Sequence, residues 1–526
     1  MRLRRLVREQ SGYTMIAVVG AMATVSLLVT AALAATNGDL NLVRRDLLHK
    51  QAYAAAQAGI ADYSYHLNND NSYWAKCTSV PMPNAVNQMG STARRRAVPG
   101  TTESSYAIEL VPATGQSTCS TSNPVGTMLE QGGLAPGSFR IRATGYSGDA
   151  SVSVVATYKR ASLLDYVYFT QLETSDPVTY GFANPSSQLN AANTQCSKFR
   201  REGRPRVGST SPSSICDTIV FVEDDDIDGP MHTNDDLCIN SGDTPSFGRN
   251  ASDVIEVSAS APGYHTITGS GNGCTGNNTS EPSPGTFTTN APVLTPPPTN
   301  GKLKSLAGIT RTGQTQVTLN GNNVTLRTGN GSSQSFPIPS SGVIYIANGT
   351  CSASYNPFTV TYPSSSGCGN AIVRGNYSGQ LTIAAENDII VDEDIRRNSG
   401  TGGLLGLVAN NFVRVKHPVS DQTSRNDCGD NEDDTGTIHD LRIDAAILAI
   451  SHSFIVDHYN CGDELGELEV NGAISQKFRG AVGTTGGTGY IKDYNYDDRL
   501  RYQEPPYFLD PVQSAWHLQR STLDYP

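Results

Sequence analysis

The chain has 526 residues and a net charge of −11, with only 17% charged and 7% aromatic side chains. Phosphate binding needs a basic footprint, and the basic residues are not clustered beyond the first few positions, so nucleic acid is excluded as a partner. The length exceeds one average domain, and the plentiful Gly (51) and Pro (28) predict turns and short strands over amphipathic helices.

The N-terminus carries Arg2, Arg4, Arg5 and Arg8 against a single Glu9, and no charged residue occurs from Met15 to Ala35. About twenty apolar or small residues, at 1.5 Å rise each, predict a helix long enough to cross a hydrocarbon core. The arginines would hold its front end in the cytoplasm and leave the bulk outside. The run is longer than the apolar stretch of a signal peptide, and helix-compatible sequence continues past it. The expectation is a single-pass membrane protein with its membrane part at 13–36.

The string SGYTMIAVVGAMATVSLL resembles a type IV prepilin leader, and AYAAAQAGI (52–60) is similar to the Ala-rich segment of the same proteins. The resemblance implies cleavage between Gly12 and Tyr13 by a prepilin peptidase, N-methylation of Tyr13, and packing against other pilin or pseudopilin subunits. Ala17 stands where the family usually has a glutamate, as in some X-type minor pilins and the K-type pseudopilin of type II secretion.

Past the apolar run, Leu40, Val43, Leu47, Ala54, Ala58, Ala61 and Tyr65 recur at helical spacing and extend the N-terminal helix over 13–70. A small β head follows at 71–168, with strands at 139–146 and 150–160 joined by a turn. A second β region, 169–248, contains GPMHTND (229–235), which resembles a G-P-x-H-T-N-D pattern of exported bacterial proteins with a pilin-like start. Residues 249–340 read as Gly/Ser/Thr/Pro-rich loops and a hairpin. From 341 to 483, short apolar strands recur every fifteen to thirty residues, which predicts a right-handed β-helix-like solenoid, with a β-sandwich as the alternative. Residues 484–526 form an extended capping tail in this reading, with Tyr496, Tyr507, Phe508 and Trp516 covering the solenoid's open end. The fold class is thus α+β, mostly β.

All ten cysteines lie after the apolar run, an even number best read as disulfides. Sequence leaves connectivity open. Consecutive pairing closes the most local loops: Cys77–Cys119, Cys196–Cys216, Cys238–Cys274, Cys351–Cys368 and Cys428–Cys461. Asp224, Asp226, Asp228, Gly229 and Asp235 match parts of a calcium loop, although the last position is usually Glu and no helix flanks it. Calcium is the one cofactor the sequence suggests. His232 beside Asn234 and Asp235 has no nucleophile tied to it by motif and reads as a loop-fixing residue. Glu386, Asp388, Asp392 and Asp394 are carboxylates that a β-helix enzyme could use on a groove face. Fold alone licenses no enzyme, and no catalytic residue is assigned.

The sequence therefore predicts a minor type IV pilin-like subunit or surface adhesin, held and assembled through its N-terminal helix. The alternatives are a K-type pseudopilin and a membrane-tethered carbohydrate-active enzyme.

Overall fold

A helix of 59 residues, α1 (Ser11–Asn69), opens the computed structural model. The structure describes residues 11–70, 72–77, 95–130, 138–160, 162–181, 186–205, 216–240, 242–267, 274–276, 283–352, 355–419, 422–424, 427–428, 439–484, 486–501, 503–512 and 516–524. It is mostly β with a few helices, and the chain divides into two compact units. The first comprises Met1–Gln131, Gly137–Arg160 and Ala515–Pro526; the second is mainly Ala161–Ser514.

In the first unit α1 changes character along its length. Met15, Ile16, Val18, Val19, Met22, Val25, Leu27, Leu28 and Val29 are all exposed. Ala52, Ala55, Ala56, Ile60, Tyr63 and Leu67, spaced at three and four, are buried. Val43, Leu47, Ala54, Ala61 and Tyr65, placed on one face by their period, are exposed, so the packing face is not the one the period suggested. The buried stripe lies on an antiparallel sheet of β1 (Arg96–Ala97), β2 (Ser104–Val111), β3 (Phe139–Ser147), β4 (Ala150–Arg160) and a terminal strand, Trp516–Asp524. Strand β3 alternates buried and half-buried positions throughout, as a sheet covered on one face must. Phe139 is the centre of the core, stacked on Tyr158 at 5.3 Å and Trp74 at 5.7 Å and edge-on to Trp516 at 4.7 Å. A Cβ on Gly145 of β3 would lie 2.0 Å from the Ala52 carbonyl oxygen, so helix and sheet can touch there only over glycine.

The expectation of a membrane-spanning helix is corrected. Among the described residues no helix is long and apolar enough to cross a membrane. The localisation as a single-pass membrane protein falls with it.

The second unit contains a 22-stranded sheet among its described residues. The strands that matter for the site are β5 (Tyr168–Ser175), β6 (Asp226–Asp228), β7 (Met231–Thr233), β8 (Thr315–Gly321), β9 (Val343–Ala347), β10 (Ala371–Tyr377), β11 (Gln380–Ala385), β12 (Ile389–Arg397), β13 (Leu404–Ala409), β14 (Val413–Val415), β15 (Leu441–Ala449), β16 (Phe454–Val456), β17 (Glu464–Arg479) and β18 (Thr488–Tyr496). Pairing is mainly parallel and skips a strand. One ladder runs β9–β11–β13–β15–β17, and another runs β8–β10–β12–β14–β16. Strand β17 continues the first ladder to β5 and then β7, and separately to β18 and then β6. Leu381, Ile383, Leu405, Leu407, Ile447 and Ile474 are buried along it, the near-continuous apolar pattern of parallel strands.

The predicted solenoid is also corrected: among the described residues the strands form no closed solenoid. Antiparallel pairs interrupt the parallel ladders, where β8 meets Asn323–Thr328 and where Gly483–Thr484 meets β18. A separate three-stranded sheet, Leu237–Ile239, Tyr264–Ile267 and Cys274–Gly276, lies outside them. The connections are too unequal for stacked coils: some strands follow within a few residues, while a disulfide-closed loop separates β9 from β10. The parallel register equally rules out the antiparallel sandwich that was the alternative. All ten cysteines are paired consecutively, in five disulfides.

Candidate functional site: a disulfide-walled cleft

The second ladder turns one strand face outward, and that face floors a cleft of about 490 Å³, within the size range of small-molecule sites. Strand alternation supplies the floor in two rows. Arg327, Gln316, Ile372, Ile390 and Arg414 are successive cross-strand partners. Two residues further along the same face come Arg374, Asp392 and Lys416. The wall is the segment 355–366, which lies between Cys351 and Cys368 and is closed into a loop by their disulfide.

Two tyrosines of this wall are fixed to the sheet beneath. Tyr355 donates to Asp457 Oδ1 at 2.7 Å, and Tyr362 donates to Asp457 Oδ2 at 2.9 Å. Asp457 is fully buried and also takes Arg414 at 3.0 Å. Arg414 reaches Asp388 at 3.2 Å with its Nε, and Asp388 accepts the Phe412 backbone N–H at 3.2 Å. This buried chain of carboxylate, guanidinium, carboxylate and two phenols satisfies itself, as a buried polar network must. Burial, and then the Asp457 charge, push both phenols far above the ordinary tyrosine value, so they remain protonated donors. Burial also raises the Asp388 carboxyl, against the pull of Arg414.

The rim is a line of amides. Asn411 donates to Asn387 at 2.7 Å, Asn387 to Asn370 at 2.6 Å, and Gln314 to the Pro363 carbonyl of the wall at 2.6 Å. At one end Phe412 stacks on His452 and meets Tyr355 at a tilt, 4.4 Å from each, and His452 meets Asp176 at 2.7 Å.

Some groups in the cleft are left with unused bonding capacity. Asp392 pairs through Oδ2 with Arg374, but its Oδ1 has no partner, and the side chain is only 4% exposed. Arg374 Nε is likewise without a partner. Burial raises the Asp392 carboxyl above the ordinary value, with Arg374 and Lys416 opposing. Four cations line the cleft, Arg327, Arg374, Arg414 and Lys416, against two carboxylates, Asp388 and Asp392. Arg374 and Arg414 are ion-paired, whereas Arg327 and Lys416 have no carboxylate partner among the described residues. The Lys416 ammonium sits 5.1 Å over the Tyr362 ring.

Of the four carboxylates singled out from sequence, Asp388 and Asp392 line the cleft, and the other two lie outside it. Glu386 pairs with Lys304 at 3.3 Å, and Asp394 with Arg396 at 2.8 Å. The residues sequence reasoning missed are Gln316, Arg374, Arg414, Lys416 and Asp457. Their signal was present in part: Ile372/Arg374, Ile390/Asp392 and Arg414/Lys416 are period-two pairs on consecutive segments, and alignment across strands was the missing step.

The suggested calcium ligands are not gathered. Asp224 and Asp226 are exposed, and Asp228 is half-buried in β6. Burial first, then the Asp226 and Asp493 charges, raise the Asp228 carboxyl. Asp235 is buried and paired with Arg204, and it accepts the Arg200 N–H at 2.8 Å and the Glu173 N–H at 3.1 Å. Among the described residues no group of three or more His, Cys, Asp or Glu is placed to hold a metal. His232 is buried between Glu256 at 3.0 Å and Asn234 at 3.1 Å. Asn234 in turn exchanges two hydrogen bonds with the Leu294 backbone, so GPMHTND fastens loops to β7. Gly12 and Tyr13 fall within α1 by backbone; their side chains, and the leader 1–10, lie outside the described residues.

No protein-family model and no curated protein matches the chain. Among solved structures it is similar to the competence-associated pilin ComZ from Thermus thermophilus, with a TM-score of 0.32 and 12% identity, over 91% of this chain and 98% of that one. A likeness of that degree assigns neither fold nor family.

Proposed function

We propose that the chain is a minor pilin-like structural subunit, matured by a prepilin peptidase between Gly12 and Tyr13, whose large β unit serves recognition. The observation that carries this reading is the division of α1. Its second half is buried on an antiparallel sheet, while its first half exposes large apolar side chains on every face, from Val29 at 51% to Met15 at 74%. A helix apolar all round is stable only when covered, and helices of other pilin or pseudopilin subunits are the cover that suits it. Ala17, in place of the usual glutamate, favours a minor subunit over the repeated one.

The β unit reads as a binding head and not as an enzyme. Asp388 is occupied by Arg414 and the Phe412 N–H, and Asp392 is paired with Arg374, which leaves no free pair of cleft carboxylates for acid–base work. Mass spectrometry of the mature N-terminus, on protein from sheared surface filaments, tests the proposal. Tyr13 as the first residue is the expected result. An intact leader, or a start beyond Ala35, overturns it.

A further inference from the structure

The cleft imposes conflicting demands on a ligand, and few chemistries meet both. Arg327 and Lys416 line the cleft and are in no ion pair among the described residues. They belong to opposite ends of the floor: Arg327 is the cross-strand partner of Gln316, and Lys416 is two residues past Arg414. Four strand spacings of about 4.8 Å separate Arg327 from Arg414, about 19 Å in all. An elongated ligand with anionic character along its length satisfies this arrangement, in a protein whose net charge of −11 otherwise repels anions.

Asp392 makes the opposite demand. Its unpartnered Oδ1 can only accept, so the ligand must bring O–H or N–H donors. Simple carboxylates lack these at neutral pH, and inorganic phosphate, which keeps one or two O–H groups there, is too short to span the floor. The Gln316 amide makes no hydrogen bond among the described residues, and it offers both a donor and an acceptor. Between the polar ends, Ile372 and Ile390 form an apolar strip, and Tyr362 presents a ring on the wall. Anionic groups at intervals, hydroxyls between them and apolar C–H faces are together the chemistry of an acidic oligosaccharide.

We propose that the cleft binds a carboxylate-bearing oligosaccharide, its carboxylates at Lys416 and Arg327 and its hydroxyls at Gln316 and Asp392. The disulfide-closed wall and the Asp457 network hold the cleft open in advance, which lowers the ordering cost of binding. This goes beyond the pilin reading and does not depend on it: the N-terminus can be cut after Gly12 whether or not the cleft takes a sugar.

The test is titration calorimetry on the purified full-length protein with short oligogalacturonate and oligosialate, each beside its neutral methyl ester, and with inorganic phosphate. At least one acid should bind, its ester should bind about tenfold more weakly or worse, and added salt should weaken the acid selectively. Lys416→Met keeps the apolar stem over Tyr362 and should cost about tenfold in affinity for the acid, with an unchanged melting temperature. Asp392→Asn should weaken acid and ester alike. Binding of neither acid, equal binding of acid and ester, an unaffected Lys416→Met variant, or phosphate binding as tightly as the acids would each overturn the proposal.

Discussion

Gly145 and Gly59 show how differently two glycines in one interface are constrained. A Cβ at Gly145 would fall 2.0 Å from Ala52 O and 2.4 Å from Ala56 N, backbone atoms of a helix that cannot give way singly. At Gly59 the nearest obstacle is the Tyr106 ring at 2.8 Å, which can rotate. Gly145→Ala should therefore lower the stability of the first unit by about 3 kcal/mol, and Gly59→Ala by about 1 kcal/mol. Chemical unfolding followed by tryptophan fluorescence reads both, since Trp74 and Trp516 sit in that core. Equal costs would mean the helix can slide. A second residue-scale case is Asp253, whose buried carboxylate takes Arg249 through Nε at 2.8 Å and NH2 at 2.9 Å, and Arg501 at 3.3 Å. The Arg249 hydrogen bond holds its pKa below the ordinary value. A depressed carboxylate contributes stability above the unfolded value near 3.9, and loses it as pH falls through the folded one. Asp253→Asn should thus cost about 1–2 kcal/mol at neutral pH, discounted for the partly exposed Arg249, and the gap to wild type should narrow as pH falls below the unfolded value and through the depressed folded one. A gap independent of pH would assign the loss to packing.

Elements differ in how far their sequences declare them. The loop between Cys351 and Cys368 has almost no secondary structure, and two devices shape it: the disulfide and the pair Tyr355 and Tyr362 on Asp457. The bridge spans a separation of 17 residues, for which loop-closure entropy predicts about 3 kcal/mol. Replacing both cysteines with serine should cost somewhat less, about 2 kcal/mol, because the tyrosines still tie the loop down. Faster amide exchange over 355–366, with β10 and β12 unchanged, is the expected signature. Unaltered exchange would show that the tyrosines alone suffice. Helix α1 is the opposite case. Its continuity past Asn37 and Gly38 follows from alanine-rich helix-forming sequence, and it was legible from residue order alone. Its packing face was misread: Val43, Leu47, Ala54, Ala61 and Tyr65 keep a helical period yet are exposed, and the sheet covers Ala52, Ala55, Ala56, Ile60, Tyr63 and Leu67 instead.

At the scale of the whole molecule, local order could be read and long-range order could not. Strands β3 and β4 and the turn between them follow from alternation and a Gly-Asp turn, and neighbouring cysteines are joined as loop closure favours. The parallel ladders were legible as strands but not as an architecture, because sequence does not say which strand pairs with which. Spacing alone suggested stacked coils, yet antiparallel hairpins and unequal connections prevent closure. The cleft was hidden for the same reason: Arg374, Asp392 and Lys416 meet only once register is known. The terminal strand was missed outright. Trp516–Asp524 carries polar residues over half its length, and only Trp516 marks it as a core segment.

That terminal strand bears on the order in which the protein can be made. It pairs with β4 from Arg160–Trp516 to Ser153–Asp524, so the first unit's sheet is completed by residues synthesised after the entire second unit. Until then β4 presents a bare row of N–H and C=O groups, a template for any other extended chain. A ribosome that stalls inside the second unit releases a product with that edge uncovered and without Trp516 in its core. Only a chain translated through Trp516–Asp524 closes the first unit's sheet, and copies that stop before it announce themselves by an adhesive edge.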